Sequence, residues 1–337
     1  MKYRKLKTAQ DDLSSIVSQQ IAPQVRVQLL HGLELDLPPY DDPVLEAVAD
    51  HIDLLIGGRK PRSMMVVGLP GVGKTTMINK IIRFATEHLG DRMHKHAILT
   101  IRLTAKASIT SFAEEVLEQL GDPLYGRHNQ GSAERRVTKV LKAKRTYIVI
   151  VDEGHHLLYG KGDKTVQLLT EALKNTFEMG EVILILIGMP EMTQLDASNK
   201  QQDRRGLTCI HLLPFAWNDP VGRENFLRML FEVDKALGFK QLAGLDLPDM
   251  AFRIYQALSG VPGATIEFLV FAAQRAIKMG DTALTLEHLR LQYEKTLGTK
   301  RPGYINPFDS EIPDKWEPVE PGFWFRPQSA PARRRRR

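Results

Sequence analysis

Cysteine is almost absent from this chain. Cys209 stands alone among 337 residues, which excludes an intrachain disulfide and any cysteine-built zinc cluster. No apolar run approaches the roughly 18–20 residues that span a bilayer. No apolar core follows the charged N-terminus, so a secretory signal is not expected. No repeat recurs at solenoid or propeller periods. Basic residues without acidic neighbours gather at both ends of the chain. The first ten residues hold Lys2, Arg4, Lys5 and Lys7, and the last five are Arg333 to Arg337. These nine basic residues exceed the net charge of +6, so the body between them is slightly acidic. A uniformly basic nucleic-acid protein is thereby excluded, and basicity is confined to the ends. With 43% hydrophobic residues the chain can bury a sizeable core. The expectation is a soluble, cytoplasmic protein.

Strand and helix patterns alternate along the first two thirds. Val44, Val48, Ile52 and Leu55 give helical spacing over 43–56, ended by Gly57-Gly58. Short apolar runs at 64–68, 97–103, 147–151, 182–187 and 208–213 read as strands. Helical segments are expected at 74–88, 108–120 (capped by Ser108), 132–143 and 165–177. Continuous runs such as Tyr147-Ile-Val-Ile-Val151 are those of strands buried on both faces. This alternation implies an α/β fold with a parallel five-stranded sheet. After Pro214 only helical patterns follow, at 218–237, 248–258, 264–279 and 285–297. From Gly298 prolines become dense, and an extended tail is expected. The expected division is an N-terminal arm (1–42), an α/β nucleotide-binding core (43–215), a C-terminal helical lid (216–300) and a tail rich in proline, aromatics and arginine (301–337).

Gly68-Leu-Pro70-Gly71-Val72-Gly73-Lys74-Thr75 fits the phosphate-binding pattern G-x-x-x-x-G-K-[ST], between a strand and a helix. The glycines let the backbone curl so that N–H groups face phosphate oxygens, and the helix N-terminus adds partial positive charge. Gly68, Pro70, Gly71, Val72, Gly73, Lys74, Thr75 and Thr76 are the expected nucleotide-binding residues. Lys74 would reach the β- and γ-phosphates, and the Thr75 hydroxyl would ligate Mg²⁺. A second strand ends in Asp152-Glu153. Asp152 would hold the magnesium, and Glu153 would orient or deprotonate the attacking water. The expected substrate is therefore ATP with Mg²⁺.

These motifs, with a trailing four-helix section, resemble an AAA+ ATPase over roughly residues 40–300. Asp152-Glu-Gly-His-His156 resembles the D-E-x-H segment of a branch that includes the TniB/TnsC transposition regulators and ExeA-like secretion ATPases. Three features favour the transposition regulators: the basic patch Arg59, Lys60 and Arg62, the Ile187-Gly-Met-Pro190 ending to the fourth strand, and Asn306-Pro-Phe308 before a short tail. The resemblance implies a protein that forms an ATP-dependent ring or helical filament on double-stranded DNA, independently of its sequence. It would bridge a TniQ-like target selector and a transposase, with slow hydrolysis driving release. Membrane partners are not expected. An arginine supplied in trans is implied at Arg204 or Arg205, which the sequence does not separate. DNA contacts are implied at Thr104, Lys106 and Ser108 after the second strand. Arg135, Arg136 and Lys139 form a further basic cluster on a helix.

The sensor positions depart from the family. Gly188-Met189 stands where a polar first sensor is usual, with Thr193 the nearest hydroxyl. The lid stretch Gly260–Thr265 lacks the second sensor's arginine, and the next basic residue is Arg275. These departures fit a switch better than a motor. A metal site at His155 and His156 is not expected, because adjacent histidines in a strand-to-helix loop point in different directions and no third ligand is evident in the sequence. His155 is expected to link the nucleotide site to a subunit interface. The tail aromatics Phe308, Trp316 and Phe323-Trp324-Phe325 suit either a partner's groove or this chain's own lid. The Arg333–Arg337 run has open readings: contact with DNA, contact with an acidic partner face, no contact, or a natural or engineered solubilising end. Two other functional classes remain: an ATPase of ExeA-like secretion or helicase-loader type, and a nucleotide-gated signalling scaffold that does not bind DNA.

Overall fold

The computed structural model describes residues 34–61, 63–105, 107–126, 130–158, 163–197, 208–301, 303–309 and 316–326. They fall into two compact units.

The α/β unit comprises Pro38–Leu69 and Lys74–Leu212. Helix α1 (Pro38–Ile56) starts earlier than the apolar spacing predicts. Pro38 and Pro39 are tolerated because first-turn N–H groups have no helical partner. Val44, Val48 and Ile52 form its fully buried stripe. Strand β1 (Met64–Gly68) leads through the glycine loop into α2 (Lys74–Leu89). The Asp41 carboxylate meets Lys80 Nζ at 2.6 Å, joining α1 to α2 through an ion pair largely withdrawn from solvent.

Strand β2 (Ile98–Arg102), α3 (Ile109–Gln119), α4 (Gln130–Lys144), β3 (Ile148–Asp152), α5 (Asp163–Gly180), β4 (Ile183–Gly188), the short α6 (Gln194–Ala197) and β5 (Thr208–Leu212) complete this unit. The sheet is parallel in the order β2-β3-β4-β1-β5. Every residue of β1, β3 and β4 is buried, as their unbroken apolar runs require. On one side, Phe112, Val116 and Leu117 of α3, Val137 and Leu141 of α4, and Leu173 and Phe177 of α5 pack over Val149, Val151, Leu184 and Leu186. Each such side chain contributes about 1.5–3 kcal/mol by leaving water.

The sheet order has a direct consequence for the site. The C-terminal ends of β3, β4 and β1 carry Asp152, Gly188 and Gly68 in that lateral order. The acidic pair and the glycine loop therefore sit on strands separated by β4 alone, at the edge where ligands of open parallel sheets bind.

The described part of the helical unit contains residues 34–37, the loop tip Pro70–Gly73 and the described residues from 213 onward. Its helices are α7 (Pro220–Ala236), α8 (Pro248–Leu258), α9 (Pro262–Met279) and α10 (Leu286–Thr296). The Asp219 side chain accepts from Gly222 N at 2.6 Å to cap α7. Buried Asp234 accepts from the backbone N–H groups of Ala243, Gly244 and Leu245 at 3.0, 2.8 and 3.1 Å. A single carboxylate thus satisfies the turn that reverses the chain toward α8.

The described tail segments do not extend away from this unit. Phe308 is buried, its ring 5.6 Å from Phe268 and 6.1 Å from Tyr293. Gln256 Nε2 donates to the Glu317 carbonyl at 2.7 Å, and its Oε1 accepts from Val319 N at 3.2 Å. Trp324 Nε1 donates to the Gln256 carbonyl at 2.8 Å. Of the two readings for the tail aromatics, the chain's own helices are what Phe308, Trp316 and Trp324 touch. No single helix among the described residues is long and apolar enough to cross a membrane.

Candidate functional site

The glycine loop has the backbone that its composition allows. Gly71 and Gly73 adopt φ of 78° and 99°, a region that side chains disfavour and glycine enters freely. This turns the chain so that Lys74 starts α2 with its side chain folded back. Lys74 Nζ donates to the carbonyls of Gly68 at 3.0 Å and Leu69 at 3.1 Å, and lies 4.0 Å from Met189 Sδ. Burial depresses the ammonium below the usual lysine range, while Glu153, Asp152 and Glu191 act in the opposite direction. The cation is thus tethered near the acidic pair. Val72 is buried and anchors the loop, whereas Thr75 is exposed at the first turn of α2.

Asp152 closes β3 with its carboxylate almost fully buried. Its Oδ1 accepts from Glu153 N at 2.9 Å, and its Oδ2 lies 3.8 Å from Arg102 Nε. Arg102 was not singled out from the sequence. It ends β2 in direct register with Asp152, a pairing visible only once the strand order is known. Glu153 adopts φ of 56°, a left-handed conformation uncommon outside glycine, asparagine and aspartate. Such strain concentrates at functional sites.

A single-turn 3₁₀ segment, Gly154–Leu158, follows. It places His155 Nδ1 3.3 Å from Glu153 Oε2, and the rings of His155 and His156 have centroids 4.3 Å apart. Ligand-capable atoms of Glu153, His155 and His156 all lie within 4.8 Å of one another. The expectation that the histidines diverge without a third group is therefore corrected. The tight 3₁₀ turn brings their rings together, and the left-handed Glu153 brings a carboxylate to them. Burial and the neighbouring His156 lower the His155 pKa below the ordinary histidine value, against the pull of Glu153.

Gly188 explains the missing polar sensor. A Cβ built there would stand 3.1 Å from His155 N and 3.2 Å from its Nδ1, and would collide with Met192 Sδ. The absence of a side chain makes room for His155 at the end of the central strand. The Thr193 hydroxyl donates to the Pro190 carbonyl at 2.9 Å within its own turn.

The lid stretch that lacks an arginine is close-packed instead. Ala264 N donates to the Gly71 carbonyl at 2.7 Å, and a Cβ on Gly263 would stand 2.9 Å from Gly73 N. The Ala264 and Val261 side chains also face the loop tip, 3.1 and 3.4 Å from a Cβ built on Gly71.

Thr104 and Ser108 are exposed, but the Ser108 hydroxyl accepts from Ser111 N at 3.0 Å to cap α3. Arg135 and Lys139 are exposed on α4. Arg136 differs from them: it donates to both carboxylate oxygens of buried Asp122, at 2.7 and 2.9 Å, and is part of the packing. Lys106, Arg62, Arg204, Arg205 and Arg333–Arg337 lie outside the described residues.

A glycine loop between β1 and α2, an acidic pair ending β3, the intervening strand β4 and a helical C-terminal part define an AAA+ P-loop ATPase fold. Residues 58–195 match the AAA domain family. The chain is 24% identical over 188 residues to the ORC1-type DNA replication protein 1 of Sulfurisphaera tokodaii, across 52% of this chain and 45% of that protein. The chain spans less than half the length of the curated relatives it matches. Two solved structures share the fold. The Aeropyrum pernix ORC2 protein, in ADPNP-ADP complexes, superposes with a TM-score of 0.57 at 15% identity, covering 83% of this chain and 71% of that one. The A. pernix ORC1 protein in complex with DNA gives 0.53 at 18% identity, covering 75% and 64%.

Proposed function

We propose that this chain is an ATP-hydrolysing switch that binds duplex DNA and assembles on it. The observation that carries the nucleotide half is Lys74 at the start of α2, just after the loop that leaves β1, with Asp152 and Glu153 at the end of β3, only β4 lying between the two strands. Lys74 would compensate phosphate charge, with the loop N–H groups around Gly71 and Gly73 cradling the phosphates. Glu153 would orient the attacking water and accept its proton. Thr75 hydroxyl and Asp152 carboxylate are hard oxygen donors, which fits Mg²⁺. When bound, Mg²⁺ would neutralise developing charge on the phosphates. Arg204 or Arg205 would add a cation from a neighbouring subunit, so full activity would need assembly.

DNA binding is supported by the likeness to an ORC1 protein solved with DNA. Contacts through Thr104, Lys106, Ser108, Arg135 and Lys139 would reach phosphates and be independent of base sequence. A ring or filament multiplies weak contacts, which suits the slightly acidic body. The finer reading is a regulator of DNA transposition that bridges a TniQ-like selector and a transposase. It rests on the Asp152–His156 segment and the Gly188-Met-Pro190 ending. The likeness to an ORC1-type protein favours a second reading, a replication-initiator type of ATPase.

Electron microscopy with random duplex DNA and a non-hydrolysable ATP analogue tests both. A continuous filament or ring on random DNA supports the first reading; discrete complexes on particular sequences support the second. Absence of DNA binding at low salt with the analogue sinks the DNA assignment altogether.

A further inference from the structure

Three features converge on His155. Its Nδ1 is sealed from solvent and makes no hydrogen bond among the described residues, yet Glu153 Oε2 stands 3.3 Å away. Gly188 lacks the side chain that would press on this same nitrogen. Glu153 is held by a left-handed backbone at φ 56° that turns it out of line with β3.

A carboxylate on a strained, single-residue turn has several rotamers open to it. Only some of them aim it at water on a bound phosphate. A neighbouring donor fixed in the core narrows that choice. The His155 ring is fixed in this way, between the end of β4 and the His156 ring. Burial favours the neutral imidazole, whose single N–H is free to reside on Nδ1.

We propose that His155 is a positioning residue for Glu153, donating from Nδ1 to Oε2 and holding the carboxylate in the orientation that activates water. This deepens the ATPase reading above and rests on it. In this role His155 acts through Glu153 alone. Closing the bond requires only a small rotation of the Glu153 side chain, because the two atoms are already at ion-pair distance. Gly188 belongs to the same device, since it provides the space in which the ring sits.

The two amide substitutions discriminate by geometry. Asparagine places its Nδ2 near the position of Nδ1, whereas glutamine places its amide near Nε2. Steady-state ATP hydrolysis is measured for the wild type and for His155→Ala, His155→Asn and His155→Gln, with binding of a fluorescent ATP analogue to each. The expected result is a fall in kcat of roughly tenfold or more for His155→Ala, with KM and analogue affinity within about twofold. His155→Asn recovers most of kcat, and His155→Gln does not. In a Glu153→Gln background, His155→Ala produces no further loss, because the group it serves has been removed.

Equal losses in all three single variants overturn the proposal, as does a rise in KM at unchanged kcat. A transition metal retained stoichiometrically by the wild type and lost in His155→Asn also overturns it, and assigns the Glu153, His155 and His156 cluster to an ion instead. Wild-type protein that binds the analogue but never turns ATP over, with DNA present or absent, overturns the ATPase reading itself and the proposal with it. A wild type that does hydrolyse, with variants that match it, overturns the positioning role alone.

Discussion

Arg136 grips Asp122 through two hydrogen bonds, at 2.7 and 2.9 Å, and the Asp122 side chain has no exposure to solvent. The pair ties α4 to the turn that follows α3. Arginine's planar fork matches the carboxylate in a way lysine does not. Arg136→Ala leaves a buried carboxylate without its cation and is expected to destabilise the protein. Equilibrium denaturation by urea checks this. Stability within 1 kcal/mol of the wild type would remove Arg136 from the fold and return it to the DNA-contact residues.

Arg135 and Lys139, exposed on the same helix, are expected to behave oppositely. Their double alanine variant should denature as the wild type does. Its DNA affinity should fall, and the slope of log K against log salt should decrease by about 1–2 if both residues meet phosphates. Fluorescence anisotropy on random duplex DNA at several salt concentrations reads this. An unchanged slope would show that both side chains are merely solvated.

Lys74→Ala removes the loop's only ammonium. ATP-dependent assembly should be abolished and nucleotide affinity reduced at least tenfold, as measured by analogue titration. Glu153→Gln should retain nucleotide and DNA-bound oligomers while hydrolysis falls by about 10²-fold or more. Rapid turnover by that variant would exclude Glu153 as the residue that activates water.

The tail segment should contribute to stability through Phe308. Its ring is fully enclosed by Phe268 and Tyr293, and Arg253 Nη1 holds the flanking carbonyls of Pro307 and Asp309 at 2.9 and 2.8 Å. Phe308→Ala is expected to cost about 3–5 kcal/mol. Hydrogen exchange should show faster opening of α8 and α9 in that variant. Unaltered protection would mean that the helices hold without the tail.

Lys80 and Asp41 allow a contrast between breaking and replacing an ion pair. Lys80→Ala alone strands a buried carboxylate and should cost about 3–5 kcal/mol. Combined Lys80→Met and Asp41→Leu should lie within about 1–2 kcal/mol of the wild type, because both desolvation penalties vanish together. Thermal melts of the three proteins compare them directly; a double variant no better than the single one would contradict that account.

The local chemistry was legible without any structure. Five strands, the glycine loop and the acidic pair follow from apolar runs, glycine spacing and two adjacent carboxylates, because these are short-range properties of the backbone. Helix starts were less legible. Pro38 and Pro39 look like linker in the sequence, but the first turn of a helix needs no donor from them, and α1 begins there. The tail also misled: its prolines suggest an extended strand, yet Phe308 finds a cavity among α9 and α10 that no local pattern announces. Arg136 reads as one basic residue among three until Asp122 is seen beneath it.

Cysteine scarcity, the missing long apolar runs and the basic ends bounded this protein from its sequence alone. They excluded disulfides, cysteine metal clusters and a uniformly basic body, because composition is indifferent to folding. The missing polar sensor was different. In the sequence, Gly188 is an absence of a functional group; in the fold, it is the space in which His155 approaches Glu153. Only the tertiary structure decided that, because the two segments meet through the β3–β4 pairing of a parallel sheet, and a non-local contact leaves no periodic trace in the chain.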